Sequence, residues 1–479
     1  MNSNYQPEAS VIVLPVFYLR EPGDAATRNA TSAKKRLKDS FPPAIAMKKN
    51  TQMGKKLHRM LAESMKEIKR DIYLNRLIRR RENGLIKVIT GIRRSGKSYL
   101  LDPIFRNYLL SEGIREDHII KIELDRESNR RYYHDPHAFD QYIRSFVKDE
   151  QMYYVILDEI QLVDDFEYIL NGLLYEKNLD VYVTGSNSKF LSSDIITEFR
   201  GRGDQIRVQP LAFSEYLPAC GIEDKYDAWN EYMTYGGMPF VVSIQEEQDK
   251  AVYLKNLFEQ VYFRDILERY GIRRKDILDS LVNVLASSVG SLTNPQKIYD
   301  TFKSNGEKAL SLNTISSYLS YLEDAFIVSR AERYDIKGRK YISTPQKYYF
   351  TDLGLRNARL NFRQQEETHL MENALYNELL YRGYHVDVGV VEIREQGRRK
   401  STEVDFVCNE GSNRYYIQSA LHLDTQEKTL QESKSLNHIG DNFKKIIVVK
   451  DHIKPWRTED GIFVIGIMDF ILDPESLIH

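Results

Sequence analysis

Gly91-Ile92-Arg93-Arg94-Ser95-Gly96-Lys97-Ser98 decides how this chain is read. Two glycines bracket four residues, and Lys and Ser follow. An apolar run at 85–90 precedes the stretch, and a helical pattern starts at Tyr99. That strand–loop–helix setting is the one a phosphate-binding Walker A loop requires. Glycine lets successive backbone N–H groups turn inward around phosphate oxygens, and the following helix adds the positive end of its dipole. The pattern predicts a nucleotide cradle made of Gly91, Arg94, Ser95, Gly96, Lys97, Ser98 and Tyr99, with Lys97 on the terminal phosphates and Ser98 on Mg2+.

A second stretch, Tyr154-Val155-Ile156-Leu157-Asp158-Glu159, reads as a buried strand ending in two carboxylates. Asp158 is expected to orient Mg2+ and Glu159 to polarise the attacking water. Residues 119–124, 179–184 and 206–208 supply further strands, with a helix at 138–147. Strands alternating with helices predict an α/β parallel sheet covered on both faces. The strand at 179–184 ends in Gly185-Ser186-Asn187. Thr184, Ser186 or Asn187 would there touch the γ-phosphate or the water, or Ser186 would simply cap a helix. Phe199-Arg200-Gly201-Arg202-Gly203 puts Arg200 and Arg202 on a glycine-flanked loop. They are read either as arginine fingers, acting in their own or a neighbouring subunit's site, or as a solvated turn.

Composition narrows the setting. The chain has 479 residues, 42% hydrophobic and 29% charged, enough for about three domains with real cores. A net charge of −1 excludes a global basic field, so any nucleic-acid contact must be local. Two cysteines, Cys220 and Cys408, exclude a disulfide framework and fit a cytoplasmic setting. No run approaches the ~18 apolar residues that span a bilayer. The apolar stretch at 9–19 lacks the basic start and small-residue cleavage site of a signal peptide. Residues 1–64 lack periodicity and read as a disordered leader, with Met47, Met53, Met60 and Met65 as alternative natural starts.

The loop with paired arginines, the Asp158-Glu159 strand, the Thr184-Gly185-Ser186 turn and the Arg200-Gly201-Arg202 loop together resemble a prokaryotic AAA-type ATPase family. That family carries a C-terminal domain of unknown function 4143. Pro210-Leu211-Ala212-Phe213-Ser214-Glu215-Tyr216 and Tyr235-Gly236-Gly237-Met238-Pro239 extend the likeness, which covers residue 66 to the C-terminus. The resemblance implies a P-loop core at 65–215, a helical lid at 216–270, a winged helix at 271–355 and a restriction-endonuclease-like α/β domain at 356–479. It implies ATP and Mg2+ as ligands, in a ring, a dimer or a monomer.

Two features of the C-terminal half bear on partners. Helical stripes at 275–289, 294–304 and from Leu312 precede two strands with Lys337, Arg339 and Lys340 near the tip between them. This winged-helix layout would place those cations on DNA phosphates, or would serve a protein partner with the tip solvated. Beyond it, an amphipathic helix bears Glu372, and strands bear Asp405 and Gln418. The order is similar to nuclease sites, but Ala420 stands where that chemistry needs lysine, which predicts a relic that does not cleave. Glu372 is then expected to cap the helix or pair with Arg382. Three roles remain open from sequence: an ATP-driven switch or motor, a DNA-binding defence or mobile-element protein assembled under ATP control, and a nucleotide-binding scaffold without turnover.

Overall fold

The computed structural model describes residues 68–185, 201–304, 306, 310–363, 366–395 and 398–478. The expected leader, Ser186, Asn187 and Arg200 lie outside the described residues.

Five strands form the first sheet: β1 (Ile86–Thr90), β2 (Ile119–Glu123), β3 (Tyr153–Asp158), β4 (Leu179–Thr184) and β5 (Gly203–Arg207). Their order is β2-β3-β4-β1-β5, and every neighbour pair is parallel. Strands buried on both faces read as continuous apolar runs, which is why 153–158 and 179–184 were legible. The two-residue period sorts their side chains. Val88, Val155, Leu157, Val181 and Val183 fill one core, while Ile89, Tyr154, Ile156 and Tyr182 fill the other. Lys87 and Asp180 point into the second core as a buried ion pair, braced by the Tyr182 hydroxyl on Asp180.

The helix Asp71–Arg80 covers that second face. Tyr73 and Leu77 are its buried residues, whereas Ile72, Leu74 and Ile78 are only partly buried. Ile72, Leu74 and Ile78 therefore flank the contact, and Tyr73 with Leu77 carries it.

After β5 the chain runs through helices Phe213–Cys220, Lys225–Tyr235, Glu247–Leu257 and Arg264–Arg269, with a π-helical turn at Phe258–Phe263. Three more helices follow, Lys275–Ser287, Pro295–Ser304 and Leu312–Asp324, then the hairpin β6 (Val328–Asp335) and β7 (Lys340–Phe350). Strands β8 (His385–Glu395), β9 (Arg398–Glu410), β10 (Asn413–Ala420), β11 (Lys444–Val449), β12 (Trp456–Arg457) and β13 (Phe463–Gly466) complete a second, eight-stranded sheet. Its order is β12-β13-β11-β10-β9-β8-β6-β7, so the hairpin joins the C-terminal sheet through parallel β6–β8 pairing. One apolar cluster runs from Ile92 and Leu211 through Leu281 and Leu319 to Phe406 and Leu477. The boundaries expected near 270 and 355 therefore fall inside a shared core.

The helix Glu367–Arg382 differs from its sequence reading. It is buried on all sides, from Leu370 to Tyr381, and is not amphipathic. Near its end Arg382 Nε binds Glu378 at 2.7 Å, not Glu372.

Candidate nucleotide site

The loop at 91–98 links the C-terminal end of β1 to a helical run that begins at Lys97. Gly91 has φ 137°, and a Cβ there would sit 2.2 Å from the Val208 carbonyl oxygen. Only glycine fits so close to the neighbouring strand's exit. Lys97 is buried, and its Nζ donates to the carbonyls of Gly91 and Ile92, both at 3.0 Å. Burial lowers its pKa to about 8, against the pull of Glu159 and Asp158. Bound phosphate would supply the negative charge that this buried ammonium lacks. The Ser95 hydroxyl is sealed from solvent without a hydrogen-bond partner among the described residues. Loop, lysine and unpaired hydroxyl all suit an anion.

The carboxylates arrive from β3. Ser98 Oγ donates to Asp158 Oδ1 at 3.0 Å, and Thr184 Oγ1 from β4 donates to the same oxygen. Burial raises the Asp158 pKa, and these two hydroxyls oppose it. The Glu159 backbone N–H donates to Thr184 Oγ1 at 3.0 Å, and Gln161 Nε2 donates to the Glu159 carboxylate. Glu159 itself has φ 56°, a left-handed conformation unusual for a residue with a side chain. Ser98, Asp158, Glu159 and Thr184 thus converge beside the loop. Ser98 and Asp158 present two oxygens suited to a hard cation. Among the described residues there is no larger group of His, Cys, Asp or Glu fit to hold a metal ion.

Tyr99 is exposed on the first helical turn. Arg202 is exposed too, with its guanidinium 5.9 Å from the Tyr175 ring centroid. Its carbonyl accepts from Ile86 N, so it lies at the opposite end of β1 from the loop. A five-residue strand separates the two by roughly 17 Å, which removes Arg202 from its own chain's site.

Three residues that sequence reasoning missed hold the loop from behind. Arg70 is buried under it: Nη1 donates to the Ser95 carbonyl (3.2 Å), Nη2 to the Gln209 carbonyl (2.7 Å), and Nε lies 3.1 Å from Glu215 Oε1. Glu215 Oε2 accepts from Ala212 N at 3.1 Å. Burial outweighs the Arg70 charge and pushes the Glu215 pKa up to about 7. On the loop's other side Tyr262 Oη donates to the Arg93 carbonyl (2.9 Å), Arg93 lies 3.8 Å from Asp265, and the Arg94 charge opposes the burial that raises the Tyr253 pKa. The paired arginines fasten the loop to the helical segment. No periodicity signals Arg70, Glu215 or Tyr262, because their partners lie far away in sequence.

The Gly236-Gly237 pair is a joint. Gly237 N donates to Asp352 Oδ2 at 2.7 Å, and its carbonyl accepts from Leu211 N at 2.7 Å. The buried Asp352 also caps the helix Leu353–Arg359 by accepting from Leu355 N at 2.9 Å.

In the second sheet, Glu372 is buried beside Lys347 from β7. Lys347 Nζ lies 2.8 Å from Glu372, 2.5 Å from Glu403 and 3.6 Å from Asp405. Tyr349 Oη donates to Glu372 at 2.5 Å, and Ser419 N to Asp405 Oδ2 at 2.9 Å. Glu372 therefore pairs with Lys347, neither capping its helix nor meeting Arg382. A lysine amine does reach these acids, from a position seventy-three residues before Ala420, and three carboxylates already hold it.

Comparison with known proteins agrees with the first half of this picture. A model described as an AAA domain matches residues 83–217, and a domain of unknown function 8612 matches 226–366, where the resemblance implied domain 4143. An uncharacterized protein of Haemophilus influenzae (strain ATCC 51907 / DSM 11121 / KW20 / Rd) is 36% identical over 411 residues, covering 85% of this chain and 98% of that protein. An uncharacterized protein of Methanocaldococcus jannaschii is 28% identical, covering 77% of this chain and 80% of that one. The AMPPCP-bound DnaA structure from Aquifex aeolicus aligns at 13% identity over 52% of this chain and 86% of that one, with a TM-score of 0.26. That score is too low for any residue-level correspondence. No helix among the described residues is long and apolar enough to cross a membrane.

Proposed function

Because this chain belongs to one family with the Haemophilus influenzae protein and carries an AAA domain at 83–217, we propose that it is a Mg2+-dependent ATPase whose nucleotide state acts on a macromolecular partner. The observation that carries this reading is the meeting of Ser98, Asp158 and Thr184 beside the glycine loop, with Glu159 next in line. Lys97 and the loop amides hold the phosphates, which offset the burial cost of the lysine's charge. Mg2+, held by Ser98 and Asp158, would neutralise charge on the phosphate oxygens. Glu159 takes a proton as the water oxygen bonds to the γ-phosphorus and the bond to the ADP oxygen breaks, leaving ADP and phosphate. Arg200 and Arg202 are assigned to a neighbouring subunit's site, since Arg202 faces away from its own. Ser186 keeps its place among the candidate phosphate contacts.

Separating binding from turnover tests the reading. Glu159→Gln is expected to bind a fluorescent ATP analogue within threefold of wild type while hydrolysis falls at least 100-fold. Lys97→Ala is expected to lose binding. Hydrolysis that persists unchanged in both proteins would overturn it, and binding without wild-type turnover would favour the scaffold role.

A second reading has its own support. The helices Lys275–Ser287, Pro295–Ser304 and Leu312–Asp324 with the β6–β7 hairpin are read as a winged helix, and the sheet beyond as a nuclease-like fold whose acids are taken by Lys347. Lys337, Arg339 and Lys340 at the tip are exposed and make no ion pair among the described residues, which suits contact with DNA phosphates.

A further inference from the structure

A cleft of about 400 Å3 lies where the exit of β5 meets the second sheet, and Arg207 forms part of its wall. Arg207 is the last residue of β5 and pairs with Thr90, the residue before the glycine loop. Among the described residues its guanidinium has no carboxylate within ion-pairing distance. Nη2 donates to Ser329 Oγ at 2.8 Å, the group lies 5.0 Å from the Phe326 ring centroid, and Nε is sealed from solvent with no hydrogen-bond partner among the described residues. Burial lowers its pKa. A half-buried guanidinium whose Nε is sealed and which lacks a counter-ion among the described residues is costly, and the cost falls when an anion fills the space beside it.

The acids around the cleft do not serve Arg207, because each is engaged elsewhere. Glu323 and Glu332 lie 3.6 and 3.9 Å from Arg330. Asp324 accepts from the Tyr270 hydroxyl at 3.1 Å. Asp387 accepts from the Tyr341 hydroxyl at 3.1 Å and lies 3.3 Å from His385 Nε2. The wall therefore carries four carboxylates against Arg207, Arg330 and His385. Such a wall disfavours a phosphate dianion and leaves room for one singly charged, planar anion at Arg207. It also offers surplus negative charge to a cation on the same ligand.

We propose that this cleft binds a small zwitterion of the α-amino acid class, its carboxylate on Arg207 and its ammonium toward the acidic wall. The site is separate from the nucleotide loop and holds whether or not the chain hydrolyses ATP. The volume accommodates one amino acid with bound water.

The experiment is calorimetric titration of the full chain with each of the twenty proteinogenic L-amino acids in turn, alongside acetate, n-butylamine and inorganic phosphate. At least one amino acid is expected to bind saturably, one per chain, and acetate and butylamine at least tenfold more weakly. Arg207→Met is expected to cost at least tenfold in affinity and Glu323→Gln at least threefold. Because the removed cation has no counter-ion, Arg207→Met is also expected to melt at or above the wild-type temperature. If that variant does not fold, Arg207→Lys, which keeps the charge and loses the planar fork, is expected to show the same tenfold loss. Absence of binding by all twenty, binding indifferent to Arg207, or phosphate binding more tightly than every amino acid would each overturn the assignment.

Discussion

Replacing Glu215 by glutamine should flatten the pH dependence of this protein's stability. The carboxylate is buried under the glycine loop, 3.1 Å from Arg70 and bonded by Ala212 N, yet burial holds its pKa at about 7. The unfolded chain returns it to 4.5. The folded state thus binds this proton more tightly, so its contribution is fully present below pH 4.5 and is lost as pH rises through 7. A difference of some 2.5 units at 1.36 kcal/mol each gives about 3 kcal/mol. Glutamine is neutral throughout and contributes no such slope. Urea unfolding of both proteins at pH 5, 6, 7 and 8 reads the effect. The variant should gain on wild type as pH rises, by about 2.5 kcal/mol between pH 5 and 8, and change little above pH 8. Parallel stability curves would refute the argument, since they would mean that Glu215 titrates alike in both states.

Two further substitutions test the joint and the buried cluster. Gly237→Ala would place a Cβ 2.1 Å from the Leu211 carbonyl oxygen, backbone that cannot swing aside. A loss on the order of 3 kcal/mol is expected by urea unfolding, and a loss under 1 kcal/mol would show that the joint yields. Lys347→Met strands Glu372, Glu403 and Asp405 without a cation. It should cost about 3–5 kcal/mol at pH 8 and less at pH 5, where the carboxyls take up protons; an equal cost at both pH values would contradict this.

The residues of the candidate site were legible in sequence because their arrangement is local. The loop residues are contiguous, and β3 announces itself by six buried residues in a row ending at Asp158. The three helices and hairpin were legible for the same reason, each being a short-range pattern. What joins them was not. Pairing of β6 with β8 sets Arg333 against Val388, fifty-five residues apart, and neither run signals the other. The helix Glu367–Arg382 misled because Glu372, Asn373, Asn377 and Glu378 read as a solvent-facing stripe, whereas they are taken up by hydrogen bonds and ion pairs inside the protein. Lys347 was invisible as a partner of Glu372 because a lysine in a strand ordinarily reads as solvent-facing.

That buried helix explains how the two halves of the chain share structure. Glu372 near its start is fixed by Lys347 and Tyr349 of β7, and the Asn373 side chain both donates to and accepts from the Phe350 backbone. Nine residues on, about 13 Å along the axis, Tyr381 packs into the core beneath β1, and its carbonyl accepts from Arg76 at 2.5 Å. The Tyr381 ring packs edge-on against Tyr73, 5.7 Å between centroids, the Arg70 guanidinium lies 4.8 Å from the Tyr73 ring, and Arg70 in turn holds the Ser95 carbonyl of the glycine loop. Arg70 is the polar link in this series, and a buried polar group left unpaired costs about 1–3 kcal/mol or more when charged. A shift of the loop at Ser95 therefore has to be absorbed by Arg70 and Glu215 or carried into the helix that anchors the second sheet. The AAA domain ends at residue 217 in sequence, but the helix beneath its glycine loop meets residue 381, through Arg76 on the Tyr381 carbonyl and Tyr73 on the Tyr381 ring.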